Sequence, residues 1–237
     1  MSIGATGGRE VSQTTLLRRA GVADTDRAET LIAELTELTG ATIDDVPRAL
    51  SYLADPDAAL LTLVRLAESA RDQGCLDRLA ALAGTRAGAQ LAVLVGASSA
   101  LGDFLVRHPD VVSDFAEWAD RDPFSETDAR AELLRAVGAD PASDLPVASL
   151  TGADAVDAMR IAYRRMLARI AAADLFADSA TAVMPAVGQL LADLAGAALE
   201  AGLAIARAER PDHAIARVAI IAMGKCGARG LNYVSDV

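Results

Sequence analysis

The stretch "VAIIAMGKCGARGLNYVSDV", Val218 to Val237, decides how this chain is read. Val218 to Met223 is an unbroken apolar run between Arg217 and Gly224. With its β-branched members and a following glycine, it has the pattern of a strand buried on both faces. No candidate partner strand precedes it. A lone buried strand would leave backbone N–H and C=O groups unpaired at high cost. The expectation is therefore that its sheet continues past Val237 and that the chain is a fragment.

Upstream of this run the sequence reads as helix. The chain has 237 residues, 52% hydrophobic, 23% charged and only 3% aromatic. Abundant alanine with few aromatics favours close-packed helices over a β-sandwich. Residues 1–11 are Gly-rich and expected to be disordered. Short helices punctuated by turn signals follow over Thr14–Ala20, Asp24–Leu38, Ile43–Leu53, a segment opened by Pro56, and Cys75–Ala83. Together with one helix broken near Gly96, another to Arg107 and a short one begun by Pro109, they make a helical subdomain over 12–117. Residues 118–150 are acidic and contain prolines, with one short helix at Ala129–Val137, and read as a linker region. Residues 151–210 then read as a pair of long helices. In the first, from about Ala153 to Leu175, Val156, Met159, Tyr163, Met166 and Ile170 form an apolar stripe. In the second, from about Met184 to Arg207, Val187, Leu190, Leu191, Leu194 and Ala198 do so, with Pro185 placed in the first turn. The fold class is mainly α, closing over 216–237 with the first strand of an α+β domain.

A formal charge of −11 opposes nonspecific binding to nucleic acid or anionic membrane. The longest uncharged stretch, Ala87–Gly102, is shorter than the roughly 20 residues a bilayer requires, so no membrane span is expected, and the N-terminus lacks the pattern of a signal peptide. Cys75 and Cys226 form no CxxC and indicate neither a disulfide framework nor a zinc site. A reducing cytoplasm is the expected compartment. Of 22 basic residues only Lys225 is a lysine. In a chain that otherwise uses arginine, a lone lysine suggests a place for a compact ammonium.

The Gly224–Lys225 pair does not make a phosphate-binding P-loop, since Ala219 and Cys226 stand where that motif needs glycine and a hydroxyl residue. Nor do the glycines at 224, 227 and 230 follow the dinucleotide-binding spacing. The pattern that fits is hydrophobic-Gly-Lys, ten residues, then Asp236 and an apolar residue. It resembles the polymerase-β-type nucleotidyltransferase motif, in which a strand, a glycine turn and a second strand bearing Asp-x-Asp follow one another. "AMGKCGARGLNYVSDV" resembles more closely the first such motif of the glutamine synthetase adenylyltransferase family. Weaker likeness runs through "GASSALGDFLVRHPD" (96–110) and "YRRMLARIAAADL" (163–175), covering about Leu60 to Val237.

The resemblance implies a two-headed enzyme of nitrogen regulation whose amino-terminal half removes AMP from an adenylylated tyrosine of glutamine synthetase by phosphorolysis. The carboxy-terminal half adds AMP from ATP, and the wording of this motif is that of the amino-terminal half. Carried over by position, Asp236 is the first catalytic carboxylate and a ligand of Mg²⁺, and Gly224, Lys225 and Ser235 lie at the nucleotide and phosphate. Alternation along a strand places carboxylates two apart on one face, where both can reach the same ion. ATP or ADP and phosphate are the implied substrates, glutamine synthetase the implied partner, and a PII-type regulator a further one. Gly230 departs from the family's glutamate, and on a helical turn a glycine there would cost about 1 kcal/mol. With a single carboxylate of the pair, the chain alone is expected to be inactive. The alternative reading is a helical module that binds glutamine synthetase or a regulator and carries a vestigial motif. The arginines at 160–169 read as a solvated face, His108 and His213 as loop residues, and Cys226 as a packing residue.

Overall fold

The computed structural model describes residues 12–40, 50–120, 129–210, 212 and 218–234, and all of its described regular structure is helical. The chain divides into two compact units, Met1–Ala116 and Glu117–Val237. The expected disordered N-terminus and most of the expected helix at Ile43–Leu53 lie outside the described residues.

The first unit contains α1 (Gln13–Arg19), α2 (Thr25–Thr39), α3 (Pro56–Asp72), α4 (Leu76–Ala80), α5 (Arg86–Ala97) and α6 (Ser99–Arg107). A 3-10 turn, Pro109–Val111, leads into α7 (Val112–Asp120), within which the division between units falls. Side chains set most of these starts: Asp24, Asp55, Thr85 and Ser98 each accept a hydrogen bond from a backbone N–H in the first turn they precede. Pro56 opens α3, where its missing N–H costs nothing. Gly40 closes α2 at a φ of 72°, a conformation that suits glycine. The centre of the unit is α3, which packs against α2, α4, α5 and α6. Leu60 and Leu66 are fully buried there, with Leu94 and Leu105 of the neighbouring helices.

The second unit is built on α8 (Ala129–Ala136), α9 (Gly152–Leu175) and α10 (Ala180–Ala208), followed by a single turn, α11 (Gly224–Gly227). Apart from Val156, in whose place Ala155 is buried, the apolar stripes pack as their spacing demands: Met166 and Ile170 of α9 share a core with Val187, Leu191 and Leu194 of α10. Met159, Tyr163, Leu190 and Ala198 are partly buried against it. The two helices are antiparallel, because Glu209, just past α10, accepts at 3.1 Å from the Gly152 N–H at the start of α9. That carboxylate supplies the cap that the Thr151 side chain does not. The stretch read from sequence as a linker contributes Leu133, Leu134, Val137, Ala139 and Ala148 to this core. It is fastened there by Arg130, which donates to both carboxylate oxygens of Glu200 at 2.8 Å and to the Pro141 carbonyl at 2.6 Å.

Two expectations change. The second long helix begins at Ala180, not near Met184, so Pro185 lies in its second turn. Its ring deprives the Thr181 carbonyl of an intrahelical donor, which is tolerable because both residues face solvent. Val218–Met223, expected as a strand, has no regular structure and is exposed, with Ile221 and Met223 both 82% accessible. A strand needs a neighbour to take up its N–H and C=O groups, and the described residues supply none. By length and composition α10 could cross a membrane. Its apolar face is instead the core of the unit, and its acids Asp193 and Glu200 pair with Arg229 and Arg130.

Candidate functional site

The Gly-Lys turn is a short, tightly closed structure. Gly224 takes a φ of 58°, which an L side chain rarely adopts, and the turn α11 starts on it. Gly227 N–H donates to the Met223 carbonyl at 3.2 Å, and Ala228 N–H to that of Gly224 at 3.0 Å. The turn ends in a Schellman closure, with Gly230 N–H donating to the Lys225 carbonyl at 2.9 Å and Arg229 N–H to that of Cys226 at 3.0 Å. Such a closure requires a left-handed residue, and here that residue is Arg229 at a φ of 54°.

A left-handed arginine costs about 1–2 kcal/mol of steric strain. Its guanidinium compensates by reaching α10, where Nη2 donates to both carboxylate oxygens of Asp193, at 2.8 and 2.6 Å. The Gln189 amide oxygen, turned toward the same group, accepts from Nη2 at 2.8 Å and Nη1 at 3.3 Å. A half-exposed ion pair is worth up to about 1 kcal/mol, so it does not offset the strain alone. Burial of Leu231, worth about 1.5–3 kcal/mol, supplies the remainder.

The motif is thereby docked on the helix pair. Cys226 and Leu231 enter the core beside α10, and Leu231 N–H donates to the Gly188 carbonyl at 3.2 Å. The backbone comes so close that a Cβ on Gly188 would lie 3.2 Å from the Gly230 Cα. Farther on, the Tyr233 hydroxyl donates at 3.0 Å to Asp174 in the last turn of α9. Burial, and then the Asp174 charge and its hydrogen bond, hold the Tyr233 phenol well above its ordinary range.

Of the expected site residues, Gly224 and Lys225 stand together on the outer side of this turn, both exposed. Ser235 and Asp236 lie outside the described residues. Among the described residues no group of acids, histidines or cysteines could hold a metal ion. Two acids of the helix pair are engaged by the motif, Asp193 by Arg229 and Asp174 by Tyr233. The described residues therefore do not by themselves fit Mg²⁺. Gly230 is not on a helical turn, so the helix-propensity penalty does not apply, and a Cβ there would meet nothing within 4 Å. Cys226 is a buried free thiol, in keeping with a packing role.

The docking residues Asp174, Asp193, Arg229 and Tyr233 carry no metal or catalytic signature in sequence. Two weak signals point to some of them. Asp174 is an acid in the last turn of a helix, where the dipole favours cations. Asp193 is a lone charge inside a long apolar segment, and each implies a partner from elsewhere.

A family model described as glutamate-ammonia ligase adenylyltransferase matches residues 88–237. The chain is similar to curated proteins named bifunctional glutamine synthetase adenylyltransferase/adenylyl-removing enzyme. That of Cutibacterium acnes is 43% identical over 234 residues, covering 97% of this chain and 23% of the relative. That of Bifidobacterium longum subsp. infantis is 41% identical over 228 residues, covering 93% and 21%, and that of Leifsonia xyli subsp. xyli is 37% identical over 239 residues, covering 97% and 23%. The chain thus spans less than a quarter of the length of these relatives. No solved structure matches it.

Proposed function

The chain belongs to the glutamate-ammonia ligase adenylyltransferase family, and from that premise we propose that it is part of the de-adenylylating half of a nucleotidyltransferase acting on glutamine synthetase. In the reaction, inorganic phosphate attacks the phosphorus of the adenylyl-tyrosine. The bond from phosphorus to the tyrosine oxygen breaks, ADP leaves, and the phenol regains a proton. One observation carries the assignment of the turn. The chain's lone lysine stands exposed on a glycine turn whose remaining parts are fastened to the helix pair.

Lys225 contacts the attacking phosphate or the transferred nucleotide, with Gly224 allowing close approach of the backbone and Ser235 lining the same place. Asp236 is the residue that would hold Mg²⁺. Glutamine synthetase is the macromolecular substrate, a PII-type protein a further partner, and the cytoplasm the compartment.

The test is Lys225→Ala in the full-length enzyme, assayed for ADP release from adenylylated glutamine synthetase and phosphate. The expected result is a rate lower by on the order of 10²-fold or more, the scale of removing one positioned electrostatic contact, with unchanged thermal unfolding. Wild-type turnover would remove Lys225 from the site.

A further inference from the structure

The guanidinium of Arg229 does something the reaction scheme leaves unused: it ties the Gly-Lys turn to the middle of α10. We propose that Arg229, gripped by Asp193 and Gln189, is a positioning residue that sets the pitch of the Lys225 turn and the path of the chain through Leu231. Two hydrogen bonds depend on its left-handed backbone. Gly230 N–H closes on the Lys225 carbonyl, and Leu231 N–H reaches the Gly188 carbonyl of α10. Were Arg229 to relax to an ordinary φ, both donors would swing away, and Lys225 and the segment beyond Leu231 would lose their common reference. Nη2 meets both Asp193 oxygens, and the Gln189 amide oxygen, accepting from Nη2 and Nη1, fixes the orientation of the guanidinium plane as a single ammonium contact would not. Arg229 is placed to act through the backbone, and its own side chain is turned onto α10.

For its catalytic consequence the inference rests on the phosphate role of the Lys225 turn, and the experiment separates the two. In the full-length enzyme, Arg229→Ala and Asp193→Asn are expected to lower kcat for phosphorolysis by about fivefold, the scale of losing one half-exposed ion pair. The KM for adenylylated glutamine synthetase and the unfolding midpoint should stay in place. Arg229→Gly is expected to recover most of the rate lost in Arg229→Ala, because glycine takes the left-handed φ without help. Asp193→Asn should add no further loss in the Arg229→Gly background. Arg229→Gly as impaired as Arg229→Ala would overturn the proposal, since the guanidinium itself would then be required. Undiminished turnover in Asp193→Asn would overturn it as well. Amide exchange in the 237-residue chain reads the grip without turnover. Asp193→Asn should accelerate exchange at Gly230 and Leu231, and unchanged exchange sinks the inference even where Lys225→Ala supports the reaction assignment.

Discussion

Gly188 and Gly230 face each other across the contact between α10 and the motif, and their tolerance of a methyl group differs. A Cβ on Gly188 would sit 3.2 Å from the Gly230 Cα and 3.3 Å from the Leu231 carbonyl oxygen, so backbone would have to give way. A Cβ on Gly230 meets nothing within 4 Å. Gly188→Ala is therefore expected to loosen residues 224–234, seen as faster amide exchange there, whereas Gly230→Ala leaves exchange and unfolding within about 0.5 kcal/mol of wild type. Equal effects of the two would show that the backbones do not meet. Tyr233, which ties the motif to α9 through Asp174, gives the docking a pH dependence. Its phenol is raised above the ordinary value of 10.0, so it favours the folded state fully below that pH, and the contribution is lost as pH rises through the folded value. Ultraviolet titration of tyrosinate should therefore lose a late-ionising group in Tyr233→Phe. Ionisation of Tyr233 in the ordinary range would mean that Asp174 does not hold it.

Each long helix buries one stripe, and that stripe is where it breaks. Met166 and Ile170 are 7% and 4% exposed, so an aspartate at either position would bury a carboxylate without a partner. Met166→Asp or Ile170→Asp is expected to destabilise the unit by several kcal/mol, beyond the ordinary range of single substitutions. Leu194→Ala, at a fully buried position, should cost about 2–5 kcal/mol. Unfolding midpoints indistinguishable from wild type would place these residues at the surface. The stripes were readable because a period of 3.6 residues brings positions three and four apart onto one face. The start of α10 was not. A proline fits a first turn so well that Pro185 draws the eye to its own position, whereas Ser179, in extended backbone five residues before the expected start, opens the helix without a side-chain cap.

At the scale of the molecule, the chain carries two helical units, and the second ends in a motif half docked and half exposed. Cys226 and Leu231 are buried, while Ile221, Met223 and Val234 are 82%, 82% and 91% accessible. An exposed apolar run of this kind is expected to promote self-association. Ile221→Lys should shift the 237-residue chain toward the monomer in analytical ultracentrifugation, and identical sedimentation would show that another surface drives association. The sequence by itself determined the helical class, the apolar faces and the family, because periodicity and a contiguous motif are local properties of the chain. Only the tertiary structure decided that Ala129–Ala148 belongs to the core of the second unit, that Val218–Met223 is without regular structure here, and that Arg229 is left-handed with Asp193 as its partner. Each of these depends on residues far apart in sequence. Leu133 needs the faces of two later helices, a strand needs a neighbour, and Arg229 meets an acid 36 residues away, a pairing that no local pattern encodes.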